Sequence, residues 1–575
     1  MKYSIAISGA AGQGIDTVAD FLAAILKESG LHVFVWREFM SRIRGGINSA
    51  QLRVTDERTG AHTFRTNIAV VLDRGASEHL NRYSRISDDT IIVGEEKNIE
   101  TIDHNPRYMI AAPFSEIAKE VGGAIYLNSI AAGVVAAYFN VKESIVHAYL
   151  SRRFGSKGEE IVKKNIDAYS RGFQIGQRIS DILGSMRLRF DPGVRSQLLL
   201  SGSEAVALGA LAGGCNFISS YPMSPSTGVL TFLAQHARDF GVLVDQAEDE
   251  IAAMNKGLGA WYAGGRAIVT TAGGGFALMT EGLSLAGMLE SPMVIHLAQR
   301  PGPATGLPTR TGQEDLKHAL GASHGEFPRV IYAPGTYEEA FFLTQRAFNM
   351  AAQYQVPVFV LTDQFLLDSL GTLPMLKLTD AKIEKHVVRT KSDYRRYLLT
   401  ETGISPRGIP SYGEGLVVVD SDEHDESGHI TEDLHLRTKM VDKRLRKKAL
   451  LLRENAVPPT LVGAKEPNIL VITWGSNYHV VKEAISEIGQ DSIAMLHFSQ
   501  VYPLHEASLE YLQSTKRVAI VENNATAQFA GLIQRETGFV IDKNSMLLKY
   551  NGLPFAVEEV VDFLRGMAKQ EMIMN

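Results

Sequence analysis

Short apolar runs alternate with amphipathic stretches along most of this chain. Near the N-terminus, residues 3–8 form a β-type run, residues 15–29 repeat apolar positions at helical spacing, and residues 31–36 are β-type again. The same alternation returns over residues 469–522. Because strands that alternate with helices build parallel sheets, the pattern predicts an α/β fold that opens with a βαβ unit.

The middle of the chain repeats this pattern around two carboxylates. Val244–Gly275 predicts a strand end, a helix that begins near Glu248 and Glu250, a second strand, and a glycine-rich loop over residues 272–275. The predicted apolar face of the helix consists of Ile251, Met254, Leu258, Trp261 and Tyr262. A loop after a parallel strand is a common ligand site in α/β proteins. Acids in a first helical turn also complement the helix dipole, which is the structural alternative.

Length and pattern divide the chain into several parts. Its 575 residues are too many for one core. We expect three α/β domains, over residues 1–185, 195–376 and 466–575, with a polar connecting segment over residues 377–465.

Composition excludes several functional classes. The net charge is −6 and is spread along the chain, so nucleic acid is not an expected partner. The single cysteine, Cys215, excludes a cysteine-ligated iron–sulfur cluster supplied by this chain alone, and its expected role is in the core. No apolar run has membrane-spanning length and no signal peptide is visible, so we expect a cytoplasmic protein without a membrane partner.

Four loops carry residues suited to ligand binding. Gly12-Gln13-Gly14 and Arg44-Gly45-Gly46 offer backbone N–H groups and a guanidinium to an anion. The first loop also suits a plain tight turn or a nicotinamide site. Tyr221–Thr227 exposes hydroxyls around two prolines, and Arg300–Thr311 carries two arginines after a predicted strand. Taken singly, the proline-stiffened loop is purely structural about half the time, and such arginines are more often solvated than ligand-binding.

The polar connecting segment contains a strongly charged stretch. Residues 420–429 hold five acids and two histidines, and the basic run Lys443–Lys448 follows. The acidic spacing fits no EF-hand. We expect a solvated loop with a basic helix, and a metal site is the alternative.

These motifs together resemble a known enzyme family. The separation of Glu250 and Gly259 resembles the pyrimidine-binding domain of thiamine-diphosphate enzymes. The motif GAAGQG followed by RGG resembles the gamma subunit of 2-oxoacid:ferredoxin oxidoreductases, and YPMSPS and GLPTRT resemble their alpha subunits, most closely those acting on 2-oxoglutarate. Ser224 stands where the family usually has threonine. The resemblance to a fused gamma–alpha chain covers nearly the whole sequence.

The resemblance implies a role for each motif. Glu250 is the implied catalytic group, and Ser224, Arg300, Thr309 and Arg310 are the implied substrate contacts. The implied thiamine diphosphate contacts are Tyr221, Pro222, Glu250, Gly274 and Gly275. The implied coenzyme A contacts are Gly12, Gln13, Gly14, Arg44, Gly45 and Gly46.

The implied reaction is the reversible, coenzyme-A-dependent oxidative decarboxylation of a 2-oxoacid with electrons passing to ferredoxin. The chain lacks a GDG motif for holding a diphosphate through a metal, and one cysteine cannot ligate a cluster. The resemblance therefore implies a beta subunit that carries Mg²⁺ and a [4Fe-4S] cluster, in an alpha2-beta2 assembly. The expected substrate is 2-oxoglutarate, with pyruvate or branched-chain 2-oxoacids as alternatives. A nicotinamide-dependent reductase and a non-catalytic assembly subunit are the alternatives from other classes.

Overall fold

The computed structural model describes residues 1–40, 45–82, 85–100, 102, 108–184 and 186–574. These residues group into two compact units. The first unit comprises Met1–Leu200, Asp368–Met375 and Ala556–Glu559, and the second comprises Ser201–Leu367, Leu376–Phe555 and Val560–Asn575.

The strands are β1 (Lys2–Ala10), β2 (His32–Glu38), β3 (Ile47–Thr55), β4 (Ile68–Val71), β5 (Ile91–Gly94), β6 (Tyr108–Ala111), β7 (Leu198–Ser201), β8 (Phe217–Ser220), β9 (Leu243–Gln246), β10 (Ala267–Thr271), β11 (Met293–Gln299), β12 (Val330–Tyr332), β13 (Pro357–Asp363), β14 (Leu370–Leu373), β15 (Thr460–Gly463), β16 (Ile469–Trp474), β17 (Ile493–Phe498), β18 (Gln500–Tyr502), β19 (Arg517–Glu522) and β20 (Met546–Leu548).

The α-helices are α1 (Ile15–Glu28), α2 (Arg74–Arg82), α3 (Glu96–Ile99), α4 (Phe114–Val121), α5 (Leu127–Tyr138), α6 (Glu143–Phe154), α7 (Glu159–Leu183), α8 (Gly202–Ala212), α9 (Thr227–Gln235), α10 (Ala237–Phe240), α11 (Glu250–Tyr262), α12 (Gly273–Leu278), α13 (Thr280–Met288), α14 (Leu316–Gly321), α15 (Tyr337–Tyr354), α16 (Gln364–Asp368), α17 (Leu434–Asn455), α18 (Tyr478–Ile488), α19 (Ala507–Ser514), α20 (Gln528–Thr537) and α21 (Val557–Met574).

The first unit contains a mixed sheet in the order β6-β5-β4-β1-β3-β2-β14-β7. Strands β1, β4, β5 and β6 pair in parallel, whereas β3 pairs antiparallel with both β1 and β2. The predicted βαβ opening is therefore present, with β3 inserted between its two strands. Among the described residues no single helix is long and apolar enough to cross a membrane, although Phe114–Val121 and Ala124–Tyr138 pass that test together as a bent pair.

The second unit contains two further sheets. The larger one has the order β18-β12-β13-β11-β10-β8-β9, and the pairings from β12 to β9 are parallel. All residues of β10, β11 and β13 are buried, as expected for strands covered on both faces. The smaller sheet has the order β15-β17-β16-β19-β20 and is parallel except at β15. The predicted α/β fold class is confirmed.

The basic run in the connecting segment lies in a helix, as the sequence predicts, but three of its side chains are buried rather than solvated. It lies in α17, where Lys443, Arg444 and Lys447 are buried. Lys443 Nζ lies 2.5 Å from Glu290 Oε1, and Lys447 Nζ contacts Glu290 Oε2. The two lysines are buried because Glu290 offers them a buried carboxylate from a distant part of the chain. In the described part of the chain, no cluster of three or more metal-ligating side chains occurs.

Candidate active site

The predicted motifs of the second unit meet at one edge of its larger sheet. Strands β8, β10 and β11 are parallel neighbours, so their carboxyl ends lie side by side. Tyr221–Thr227 follows β8, α12 follows β10, and the loop beginning at Arg300 follows β11. Ligands of open α/β sheets bind at this edge, because loops and helix starts converge there.

Glu250 is the first residue of α11 and is 3% exposed. The helix begins here because the side chain of Asp249 caps it, accepting a hydrogen bond from Ala252 N at 2.8 Å. Glu250 Oε1 is buried and has no hydrogen-bond partner within the described residues. A buried carboxylate oxygen without a partner is costly, so this atom is suited to receive a donor from a bound ligand.

The predicted helix start near Glu248 and Glu250 is confirmed, but only Glu250 lies within the helix. Glu248 precedes the cap and has an exposed side chain, which pairs with Lys256 at 2.9 Å. The predicted apolar face is also narrower than expected. Three of its members are buried, whereas Ile251 and Tyr262 are 47% and 41% exposed.

The glycine-rich stretch after β10 is a helix start rather than the predicted loop. Helix α12 begins at Gly273, and Ala272 is its N-cap. A Cβ on Gly275 would lie 2.3 Å from both Glu250 Oε1 and Thr271 Oγ1. Only glycine therefore allows the Glu250 carboxylate to lie directly against this helix. Gly274 lies beside the following loop, because a Cβ there would be 3.5 Å from Ala304 O.

Ser224 and Arg300 lie in contact, although 76 residues separate them. Arg300 Nη1 donates a hydrogen bond to Ser224 O at 2.7 Å. Partial burial lowers the pKa of the Arg300 guanidinium, and the nearby carboxyl of Asp315 opposes that shift. The structure thus brings together two residues that the sequence singled out separately, through the Arg300 guanidinium and the Ser224 backbone carbonyl.

Asp315 is a site residue that the sequence analysis missed. Burial raises the pKa of its carboxyl to about 7, and Glu314 adds to the shift while Arg300 opposes it. Its Oδ2 is buried without a hydrogen-bond partner among the residues described. A Cβ on Gly273 would lie 2.4 Å from Asp315 Oδ1. Two carboxyl groups thus border the first turn of α12, and the acidic pair at residues 314–315 was the only sequence signal for the second.

The loop after Arg300 folds back on itself and reaches the C-terminal part of the second unit. Leu307 N donates to Pro301 O at 3.0 Å, and Thr311 N donates to Gly552 O at 3.1 Å. A Cβ on Gly552 would lie 3.1 Å from the Cβ of Arg310, so the stem of Arg310 borders this turn. Thr309 is partly buried in the same loop. The substrate roles of Thr309 and Arg310 stay predictions.

Tyr221 and Pro222 begin the loop after β8. Tyr221 is 41% exposed, and its carbonyl accepts a hydrogen bond from Ser220 Oγ at 3.2 Å. The same hydroxyl hydrogen is shared with Thr270 O, which lies closer, at 2.7 Å from Ser220 Oγ, and this contact ties the loop to the neighbouring strand. Hydrogen bonds thus hold the start of the loop, and the side chain of Tyr221 is accessible to a ligand or a partner.

A buried histidine underlies this edge of the sheet. His296 in β11 has Nδ1 2.7 Å from Thr270 Oγ1 and Nε2 2.8 Å from Thr362 Oγ1. Burial lowers its pKa to about 3, so the ring is neutral at physiological pH. Because it joins β10, β11 and β13 through side chains, it fixes the strands that present the site.

The two glycine loops predicted for coenzyme A lie together in the first unit. Ala11 N donates to Gly46 O at 2.8 Å, and Gln13 Oε1 accepts from Ala10 N at 2.8 Å. Gly14, the N-cap of α1, and Gly46 have φ angles of 77° and 125°, which favour glycine. Gly12 and Gly45 also have positive φ angles. Arg44 lies outside the described residues, and the coenzyme A contacts stay predictions.

Comparisons with known proteins agree with this arrangement. A family model described as "Pyruvate ferredoxin/flavodoxin oxidoreductase" matches residues 4–175. A second, described as "Pyruvate flavodoxin/ferredoxin oxidoreductase, thiamine diP-bdg", matches residues 208–443 and thus includes every candidate site residue of the second unit.

Relatives match over most or all of the chain. The alpha subunit of a 2-oxoacid:ferredoxin oxidoreductase from Sulfolobus sp. is 31% identical, and the alignment covers 99% of this chain and 97% of that one. The 2-oxoglutarate synthase subunit KorA from Archaeoglobus fulgidus is 30% identical over 64% of this chain and 98% of its own length.

A solved structure is similar throughout. The 2-oxoglutarate:ferredoxin oxidoreductase from Magnetococcus marinus, solved with 2-oxoglutarate, coenzyme A and succinyl-CoA bound, gives a TM-score of 0.90 at 30% identity. The match covers 98% of this chain and 99% of that one. The chain therefore belongs to the 2-oxoacid:ferredoxin oxidoreductases, as an alpha subunit of this thiamine-diphosphate-dependent family.

Proposed function

We propose that this alpha subunit acts on 2-oxoglutarate. The enzyme converts 2-oxoglutarate, coenzyme A and two oxidised ferredoxins into succinyl-CoA, CO2, a proton and two reduced ferredoxins, and the reaction also runs in the direction of CO2 fixation. The observation that carries the proposal is the Arg300 to Arg310 loop, whose first arginine contacts Ser224 at the sheet edge. Relatives named for 2-oxoglutarate chemistry support the same choice.

The substrate has a carboxylate at each end, so its site needs two cations. Arg300 pairs with the carboxylate beside the 2-oxo group, and the hydroxyls of Ser224 and Thr309 donate hydrogen bonds nearby. Arg310, in the same loop, pairs with the distal carboxylate. Bidentate guanidinium contacts fix the orientation of the substrate as well as its charge.

Glu250 is the residue that fits thiamine diphosphate. The unpartnered Oε1 beside Gly275 suits a hydrogen bond to a ring nitrogen of an aminopyrimidine, which is the fit expected for this cofactor. Tyr221, Pro222 and Gly274 border the same edge and complete the pyrimidine contact. When bound, thiamine diphosphate supplies the electron sink for decarboxylation. Glu250 orients the pyrimidine and holds a proton at its ring nitrogen.

A partner subunit supplies what this chain lacks. The sequence has no GDG motif and only one cysteine, so we assign the diphosphate, its Mg²⁺ and a [4Fe-4S] cluster to a beta subunit. Ile251, Leu278 and Tyr221 are exposed on the elements that carry the site, at 47%, 51% and 41%. Exposed apolar side chains of this kind suit an interface. We propose an alpha2-beta2 assembly in the cytoplasm that passes electrons to ferredoxin.

Coenzyme A is the proposed co-substrate, and the adjacent Gly12–Gly14 and Gly45–Gly46 loops are its proposed contacts. Two observations support this proposal. The glycines of both loops have positive φ angles, and Gly14 is the N-cap of α1, where backbone N–H groups favour a phosphate.

A substrate panel tests the proposal. The assembled enzyme is assayed for coenzyme-A-dependent ferredoxin reduction with 2-oxoglutarate, pyruvate and 2-oxoisovalerate. We expect kcat/KM for 2-oxoglutarate to exceed the other two by at least about tenfold, because one extra charged pair contributes on the order of 1.5–3 kcal/mol. A preference for pyruvate or 2-oxoisovalerate would reject the substrate assignment and leave the family assignment intact.

A further inference from the structure

A cavity of about 240 Å³ lies in the second unit, between α11, α13 and the segment over residues 396–419. This volume corresponds to roughly eight water molecules at about 30 Å³ each. Its walls are mainly apolar, and Leu258, Trp261, Leu285 and Val417 are among the lining side chains. The cavity is therefore large enough for a small organic molecule with an apolar body.

Two buried arginines also line this cavity. Arg396 and Arg407 are only 4% and 5% exposed. Arg396 Nη1 donates to Gln355 Oε1 at 2.8 Å, and Arg396 Nη2 donates to Glu290 O at 2.7 Å. Among the described residues, Arg407 makes only long contacts, to the carbonyls of Trp261 and Lys385 at 3.3 and 3.4 Å. Arg407 Nε is buried with no hydrogen-bond partner in the part of the chain described. Neither arginine forms an ion pair with any described residue.

The surroundings of these arginines carry more positive than negative charge. Glu290 is the nearby buried carboxylate, and Lys443 and Lys447 already hold both of its oxygens. Burial lowers the pKa of Arg407 to about 10, and the charge of Arg396 adds to the shift. Uncompensated buried charge is costly, so a bound anion would offset part of that cost.

We propose that this cavity binds a small organic monocarboxylate, whose apolar body packs against Leu258, Leu285 and Val417 while its carboxylate pairs with Arg407 and Arg396. The fork of a guanidinium matches a carboxylate, and the apolar walls match the rest of such a molecule. Leu258 lies eight residues beyond Glu250 on α11, or about 12 Å at 1.5 Å per residue. The site is thus separate from the candidate active site, although both lie along the same helix.

Isothermal titration of the purified full-length chain with benzoate tests this proposal. We expect saturable binding at one site, and binding at least tenfold weaker for benzyl alcohol, which has a similar shape without the charge. Arg407→Gln should weaken benzoate binding at least tenfold. Arg395→Gln is the matched control, because Arg395 is 53% exposed and pairs with Glu426 instead; its affinity should be unchanged.

A second variant keeps the test decisive if Arg407→Gln does not fold. Val417→Phe adds a ring to the wall of the cavity and should abolish benzoate binding while both arginines remain. The proposal is overturned if the wild-type chain gives no benzoate isotherm. It is equally overturned if benzyl alcohol binds as tightly as benzoate, or if a folded Arg407→Gln or Val417→Phe variant keeps the wild-type affinity.

Discussion

At the scale of single residues, two carboxyl groups of the candidate site lie against glycines. Glu250 lies against Gly275, and Asp315 lies against Gly273, so any side chain at either glycine would collide with a carboxyl group. Each carboxyl group has one buried oxygen without a hydrogen-bond partner in the described residues. Each carboxyl–glycine pair therefore leaves one carboxyl oxygen available to a ligand, beside the backbone of α12.

Replacing Glu250 should remove the group that orients the cofactor. We expect Glu250→Gln to lower kcat of the assembled enzyme roughly 100-fold or more, which is the scale of losing a general acid–base group. Glu248→Gln is the matched control, since that exposed acid pairs with Lys256, and its kcat should change little. Steady-state kinetics with circular dichroism as a folding check measures both. Wild-type kcat in a folded Glu250→Gln variant would refute this role.

Asp315 should impose a pH dependence on substrate binding. Its pKa of about 7 means that the carboxyl is largely neutral below pH 7 and charged above it. The charged form competes with the substrate for Arg300, so kcat/KM should fall as pH rises through about 7. In Asp315→Asn this decline should disappear. A pH profile of kcat/KM from 5.5 to 9 measures it, and an identical decline in the variant would contradict this interpretation.

At the scale of elements, the sequence predicted helices and strands better than the tertiary contacts that these elements make. Helix α18 and strands β16, β17 and β19 form the alternation predicted over residues 469–522, because their apolar periodicity is local. The helix start at Gly273 was missed because glycine disfavours helices, while here close packing against two carboxyl groups requires it. Likewise, Lys443 is buried against Glu290 and Asp315 lies against Gly273, and no local pattern records either contact.

The loop between β11 and α14 should determine which 2-oxoacid is used. We expect Arg310→Ala to raise the KM for 2-oxoglutarate about 10- to 100-fold, because hydrogen bonds to charged groups contribute about 1.5–3 kcal/mol. The KM for pyruvate, which lacks a distal carboxylate, should change less than about threefold and serves as the internal control. Equal increases for both substrates would remove Arg310 from the distal position.

Strand β11 should become less stable at acidic pH because of His296. Burial lowers the pKa of His296 from its ordinary value of 6.5 to about 3. Between these values the unfolded chain binds a proton that the folded chain does not, so the free energy of unfolding falls as pH drops below about 6.5. Urea unfolding at pH 7.5 and 5 should show a smaller loss in His296→Gln than in wild type.

The exposed His429 provides the control for this prediction, since its side chain is 69% exposed. His429→Gln should keep the wild-type dependence on pH. An unchanged dependence in His296→Gln would show that other groups govern acid stability.

At the scale of the whole molecule, the proposed function gives this chain one half of a thiamine site. Glu250 offers a buried carboxylate oxygen without a hydrogen-bond partner in the described residues, but the sequence lacks the diphosphate motif and the cysteines for a cluster. The whole-chain match to an alpha subunit agrees with this division. The interface with the beta subunit should be obligate, and we expect it to bury on the order of 2,000 Å² or more.

Reconstitution tests this division most directly. The chain expressed alone should be colourless, free of iron and inactive with every 2-oxoacid. Adding the beta subunit should produce the brown absorption of an iron–sulfur cluster together with coenzyme-A-dependent reduction of ferredoxin by 2-oxoglutarate. Turnover of any 2-oxoacid by the chain alone would contradict the shared site.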